Sequence, residues 1–363
     1  MAPGEPTRRS DQSALGEPGA GRPTQTARAT WRIDVSQAVP LEGRFEVAVD
    51  VVVPSGGPAN PSSVALACLP GGFLSRAYYD LGEDLGEDLG ENLRRRGDSS
   101  YSFAEAMASQ GFAVLAFDHL GIGESSKPEP IDAGYAFGVE VVARVNQLAL
   151  ERALERLELG DPARGIPPTR CSATIGVGHS MGSVLTVEQQ AQARPHRALV
   201  LFSFSTKGLP HFLNEDQLGY AHDPVRTRRE LGELVRRSFG TPYPPRPNQD
   251  ESNRRAAFGI GTAPPLAEAL LECASTDLLA AGGLLSMIPG GYAPAAEAID
   301  VPVYILVGDH DLHGVEELAD ELPKAPAKTM RLLEDCWHCH FVANTRAAIW
   351  SEIPAWIHQV LAK

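Results

Sequence analysis

The chain has 363 residues, 43% of them hydrophobic and 21% charged, enough apolar material for one large core or a core with an added lid. A net charge of −14 argues against nucleic acid and anionic membrane as partners. Five cysteines, few and odd in number, suit a reducing cytoplasm, and no run approaches the roughly 18 apolar residues of a membrane span.

Residues 1–30 are rich in Gly, Pro, Ser, Thr and Arg and lack an apolar signal core. Arg8-Arg9 is therefore not read as a twin-arginine signal, and the stretch is expected to be a disordered tail. Trp31–Val35 and Phe45–Val53 alternate as an N-terminal hairpin. Ser63–Leu69 is an apolar strand, followed by Pro70-Gly71-Gly72-Phe73, whose glycines let backbone approach a ligand closely. A Leu-Gly-Glu-Asp repeat over 81–92 puts leucines on one helical stripe, but its glycines weaken a helix. A solvated loop is expected there, with an acidic lid as the functional alternative. Ser99 or Ser100 caps a predicted helix running to about Gln110, and Tyr135–Leu159 has helical periodicity.

The most telling segment is Gly178-His179-Ser180-Met181-Gly182. Ala173–Val177 before it is a short buried strand, and Ser183–Ala191 after it can wind as a helix. A serine on so sharp a turn needs small residues two before and two after it, where the strand and helix backbones close in. The turn presents the Ser180 hydroxyl at a helix N-terminus, which favours developing negative charge. Such a nucleophile needs a base and an orienting acid. Candidates follow two later strands. Val301–Val307 leads into Gly308-Asp309-His310-Asp311, and Met330–Leu333 precedes Cys336-Trp337-His338-Cys339-His340.

After the strand Ala198–Phe202 the strand–helix alternation stops for about 90 residues. Asp223–Phe239 and Pro265–Leu279 are helix-like, with a proline cluster over Pro242–Pro247 between them. Apolar residues here, among them Met287 and Tyr292, either line an acyl or alcohol pocket or form the insertion's own core.

From Trp31 to Lys363 the chain resembles a serine hydrolase of the α/β-hydrolase fold. The resemblance rests on Gly178–Gly182, on Val301–Asp311, on the terminal histidine loop, and on Phe112–Ser125, a strand followed by a D-x-x-G-x-G-x-S loop. It implies a mostly parallel eight-stranded sheet flanked by helices, with residues 31–204 and 299–363 as core and 205–298 as a helical cap. It also implies a Ser180, Asp311, His338 triad in the order serine, acid, histidine. The family's acid stands three residues after the glycine, which selects Asp311 over Asp309. Trp337-His338 occupies the place of the family's Gly-His and lacks its glycine, so His340 is the rival base. The oxyanion hole is expected from the Met181 N–H with that of Gly72 or Phe73.

Three other motifs are set aside. Gly121-x-Gly123 lacks the third glycine of a dinucleotide fingerprint. Cys336-x-x-Cys339 follows the last strand instead of opening a helix near the N-terminus, as redox motifs do. Zinc would want four ligands, and no second pair at metal spacing lies nearby. The expectation is an enzyme without metal or cofactor, acting on a small-molecule ester. Thioesterase, lactonase or acyltransferase chemistry would use the same residues, and a non-catalytic binding module would be expected to have lost triad members.

Overall fold

The computed structural model describes residues 25–55, 63–82, 99–247, 265–312 and 321–362. The chain forms eight strands: β1 (Gln25–Asp34), β2 (Glu46–Ser55), β3 (Ser63–Leu69), β4 (Ala113–Phe117), β5 (Cys171–His179), β6 (Ala198–Phe202), β7 (Val303–Gly308) and β8 (Lys328–Leu333). They form one sheet in the order β1-β2-β4-β3-β5-β6-β7-β8. Its β1–β2 and β2–β4 junctions are antiparallel and the rest parallel. Strands β4, β6 and β7 are buried along their whole length, which is why they read as continuous apolar runs.

Side-chain alternation sorts this sheet into two cores. Leu199, Leu201, Val303, Ile305 and Val307 face one side, packed by α2 (Val139–Leu159) and α3 (Met181–Ala193). Val200, Phe202, Tyr304 and Leu306 face the other, with α1 (Phe103–Ala108) and the C-terminal helix Arg346–Leu361. Between β6 and β7 run α4 (Glu215–Leu218), α5 (Pro224–Phe239), α6 (Pro265–Cys273), α7 (Ala280–Met287) and α8 (Ala293–Glu297). Asp223 caps α5 by accepting the Arg226 N–H, and Arg228 on that helix pairs with the buried Glu188 of α3, tying the insertion to the sheet layers.

Several boundaries differ from expectation. Residues 25–30, assigned from composition to the disordered tail, are strand, because the β1–β2 ladder continues from Asp34↔Glu46 out to Gln25↔Ser55. Ser102, not Ser99 or Ser100, caps α1, its hydroxyl accepting the Glu105 N–H. Helix α2 starts at Val139 after a 3-10 turn over Ile131–Ala136, and α6 ends at Cys273 rather than Leu279. Residues 1–24 of the tail, and the Leu-Gly-Glu-Asp repeat beyond Gly82, lie outside the described residues. Among those described, no helix is long and apolar enough to cross a membrane.

Candidate active site

Ser180 sits between the end of β5 and the first turn of α3 with φ 53° and ψ −120°. For a residue with a Cβ this is a sparsely populated conformation, held here by its surroundings. Its N–H donates to the Phe202 carbonyl at 2.8 Å, and its side chain makes no capping bond to α3. The flanking glycines are required by contact. A Cβ on Gly178 would lie 2.4 Å from Ser183 Cα, and one on Gly182 would lie 2.0 Å from the Leu69 carbonyl oxygen. Helix α3 therefore presses against the end of β3. As the first helical residue, Met181 has an N–H without an intrahelical acceptor.

The loops after β7 and β8 are laced together. Asp309 accepts the Asp335 N–H at 3.1 Å and the Cys336 N–H at 3.0 Å, and the His310 N–H donates to the Cys336 carbonyl at 3.1 Å. Asp309 thus organises the histidine loop through its backbone. Asp311, with its carboxylate buried, meets His338 Nδ1 at 2.7 Å, accepts the Leu312 N–H at 2.7 Å and also accepts the Ser203 hydroxyl. Burial opposes ionisation of Asp311, but His338, His340 and the Ser203 hydroxyl outweigh it and hold the carboxyl well below the usual carboxylate range.

His338 is fixed from its backbone as well. Its carbonyl faces His179 Nε2 at 2.8 Å, and the two rings lie 4.9 Å apart. Since His179 immediately precedes Ser180, this contact brings the histidine loop to the serine turn. His179 is itself buried, packs at a tilt against Tyr78 with ring centroids 4.6 Å apart, and is kept neutral by that burial. His340 is wholly buried with Nε2 3.6 Å from Asp311 Oδ2, and neither ring nitrogen completes a hydrogen bond among the described residues. Burial pushes its pKa down to about 4.

Gly71 to Leu74 form a turn after β3, closed by Leu74 N–H to the Gly71 carbonyl at 3.3 Å, with Phe73 at φ 60°. The elbow serine, the two later loops and this turn thus gather at the C-terminal ends of β5, β7, β8 and β3, where open α/β sheets place ligands. Of the two apolar residues singled out in the insertion, Met287 is half-buried, at the end of α7. Tyr292 is fully buried against Phe204, with its hydroxyl on the Ser205 carbonyl. Ring and hydroxyl are both engaged and the residue is fully buried, so Tyr292 packs in the main core beside the end of β6 and not on a pocket wall.

Cys336 and Cys339 are free thiols, both buried; burial raises both, Cys339 to about 12, so neither is a ready thiolate. Among the described residues no group of three or more His, Cys, Asp or Glu side chains could hold a metal ion. Two contributors escaped sequence reasoning: Ser203, just past the end of β6, and the segment 274–278 that packs on the turn after β3. Only the position of Ser203 directly after an apolar strand hinted at a role.

Residues 66–349 match the model of the alpha/beta hydrolase family, and the chain belongs to that family. No curated protein matches the chain. Among solved structures it is similar to an esterase from Thermogutta terrifontis, at 17% identity and TM-score 0.50, covering 91% of this chain and 99% of that one. A bromoperoxidase from Bacillus anthracis gives 15% identity and TM-score 0.53, with 92% and 100% covered. A peroxisomal α/β-hydrolase from Saccharomyces cerevisiae gives 13% and 0.53, with 94% and 91% covered. At such identities the likeness carries the fold alone.

Proposed function

We propose that this protein is a serine hydrolase that cleaves a carboxylic ester of a small to medium apolar substrate through an acyl-enzyme on Ser180. The observation that carries the reading is the 2.7 Å contact between His338 Nδ1 and Asp311, on a loop fastened beside a backbone-strained Ser180. With Nδ1 on Asp311, His338 is left with Nε2 as the base. It takes the Ser180 proton as Oγ attacks the carbonyl carbon, and the carbonyl electron pair moves onto oxygen. The Met181 N–H and that of the turn after β3 hold this oxyanion. Strain at Phe73 supports Phe73 over Gly72 as the second donor. The imidazolium then protonates the departing alkoxide as the ester C–O bond breaks. Water attacks the acyl-enzyme, gives its proton to His338, and Ser180 regains it as the acid leaves.

Thioesters and lactones would pass through the same steps, as would an acyl transfer in which an alcohol replaces water. Residues 205–298 act in this reading as a cap over the site, with Met287 towards the substrate. A fluorophosphonate label tests the nucleophile, and a panel of aryl esters, thioesters and lactones sorts the substrate class. Labelling of wild type at Ser180, lost in Ser180→Ala together with turnover, is expected. Ester turnover without labelling of Ser180 would overturn the reading.

A further inference from the structure

The oxyanion-side turn does not stand alone. Residues 274–278, which join α6 to α7 in the insertion, lie along it like a short antiparallel strand. The Thr276 N–H donates to the Phe73 carbonyl at 2.9 Å, the Ser75 N–H to the Ala274 carbonyl at 2.8 Å, and Leu74 bridges Ser275. Beyond this bridge the Leu278 side chain enters a slot between two glycines. A Cβ on Gly72 or on Gly283 would each meet Leu278 Cδ1 at 2.9 Å. The same segment is tied to the loop after β4, where Gly123 N–H reaches Thr276 Oγ1 at 3.3 Å and Lys127 pairs with Asp277 at 2.6 Å.

What this grip decides is the direction of one peptide plane. In a four-residue turn the central peptide takes one of two flipped orientations, and a positive φ at the third residue marks the type II orientation, which normally calls for glycine or asparagine. Here the third residue is Phe73, at φ 60°. An aromatic side chain gives no local preference for that conformation, so tertiary contacts must hold it. His179 closes on Gly71 at the start of the turn, and at Phe73 itself the contacts are those of 274–278, which fix the carbonyl on one side of Phe73 and fill the space beside Gly72 on the other.

We infer that residues 274–278 are a positioning strap for the oxyanion hole: the Thr276 N–H fixes the Phe73–Leu74 peptide on one side and the Leu278 side chain packs beside Gly72 on the other, so that the Gly72–Phe73 peptide between them is held with the Phe73 N–H facing the reacting carbonyl. The inference rests on Ser180 being the nucleophile. It makes the insertion part of the rate-determining geometry, beyond any role as a lid.

The test is made on the full chain. Thr276→Pro deletes the donor, Thr276→Ala keeps it, Leu278→Ala empties the slot and Leu278→Met refills it. Hydrogen exchange of the 72–75 amides, which needs no substrate, should quicken tenfold or more in Thr276→Pro and Leu278→Ala but not in Thr276→Ala. On an aryl ester, Leu278→Ala should lower kcat about ten- to a hundredfold with KM within about twofold. Affinity for a boronic acid, which forms an anionic tetrahedral adduct on serine, should fall by a similar factor. Leu278→Met should recover most of both. Unchanged exchange in Leu278→Ala, or a raised KM with kcat intact, overturns the strap, the latter making Leu278 a pocket wall. Absence of esterase activity and of Ser180 labelling in wild type would instead overturn the hydrolase reading, while the exchange data still decide whether the strap holds the turn.

Discussion

His340 lends itself to a quantitative test because its imidazole is buried beside the acid of the proposed triad and completes no hydrogen bond among the described residues. Burial lowers its pKa from 6.5 to about 4. Above pH 6.5 the ring is neutral in folded and unfolded chains alike, and it costs nothing. Between pH 6.5 and 4 the unfolded chain binds a proton that the folded one refuses, so stability is lost as pH falls. For these two pKa values the loss is about 2 kcal/mol by pH 5 and about 3 kcal/mol below pH 4, both ceilings. Leucine has similar volume and does not titrate. In urea unfolding, His340→Leu should therefore lose about 2 kcal/mol less stability than wild type between pH 7.5 and 5, a range in which Asp311 stays ionised in both. His119, His179 and His196 are buried and lowered in the same direction, so the variant keeps a residual acid slope. Parallel stability curves for wild type and variant across that range would refute the argument, and with it the neutral state of His340.

Four further outcomes are expected. Ser180→Ala should leave less than about a hundredth of wild-type turnover with unchanged circular dichroism, and higher residual activity would point to another nucleophile. His338→Ala should lower kcat by several orders of magnitude and His340→Ala by about tenfold through loop disorder, since the 2.7 Å contact with Asp311 belongs to His338; a reversed order would exchange their roles. Gly182→Ala should fail to fold or fail to label with fluorophosphonate, because the new Cβ would lie 2.0 Å from the Leu69 carbonyl oxygen; a soluble, fully labelled variant would contradict the tight packing of α3 on β3. Met287→Ala should shift acyl-chain preference while Ser180 labelling persists, and an unchanged chain-length profile would remove Met287 from the substrate path.

Much of this protein is written locally. The half of β5 that leads into the elbow is an apolar run, a helix-forming stretch follows, and the glycines around Ser180 sit where strand and helix backbones collide, so the elbow was legible from the pentapeptide together with its strand–turn–helix context. The position of β8 and its trailing loop likewise followed from a short run and what came after it. Other features depended on contacts between distant positions. Asp309 and Asp311 are two residues apart and chemically identical, yet one binds backbone N–H groups of the next loop and the other binds His338. His338 and His340 differ in the same way, since each lies where the loop turns it, one half-buried against Asp311 and one wholly enclosed. Ser203 reaches Asp311 across 108 positions, and Thr276 reaches Phe73 across about two hundred. Periodicity records which face of an element is apolar, a property of neighbours along the chain. The pairing of one carboxylate, one imidazole and one peptide plane depends on how separate loops meet at the strand ends, and only the tertiary structure decides it.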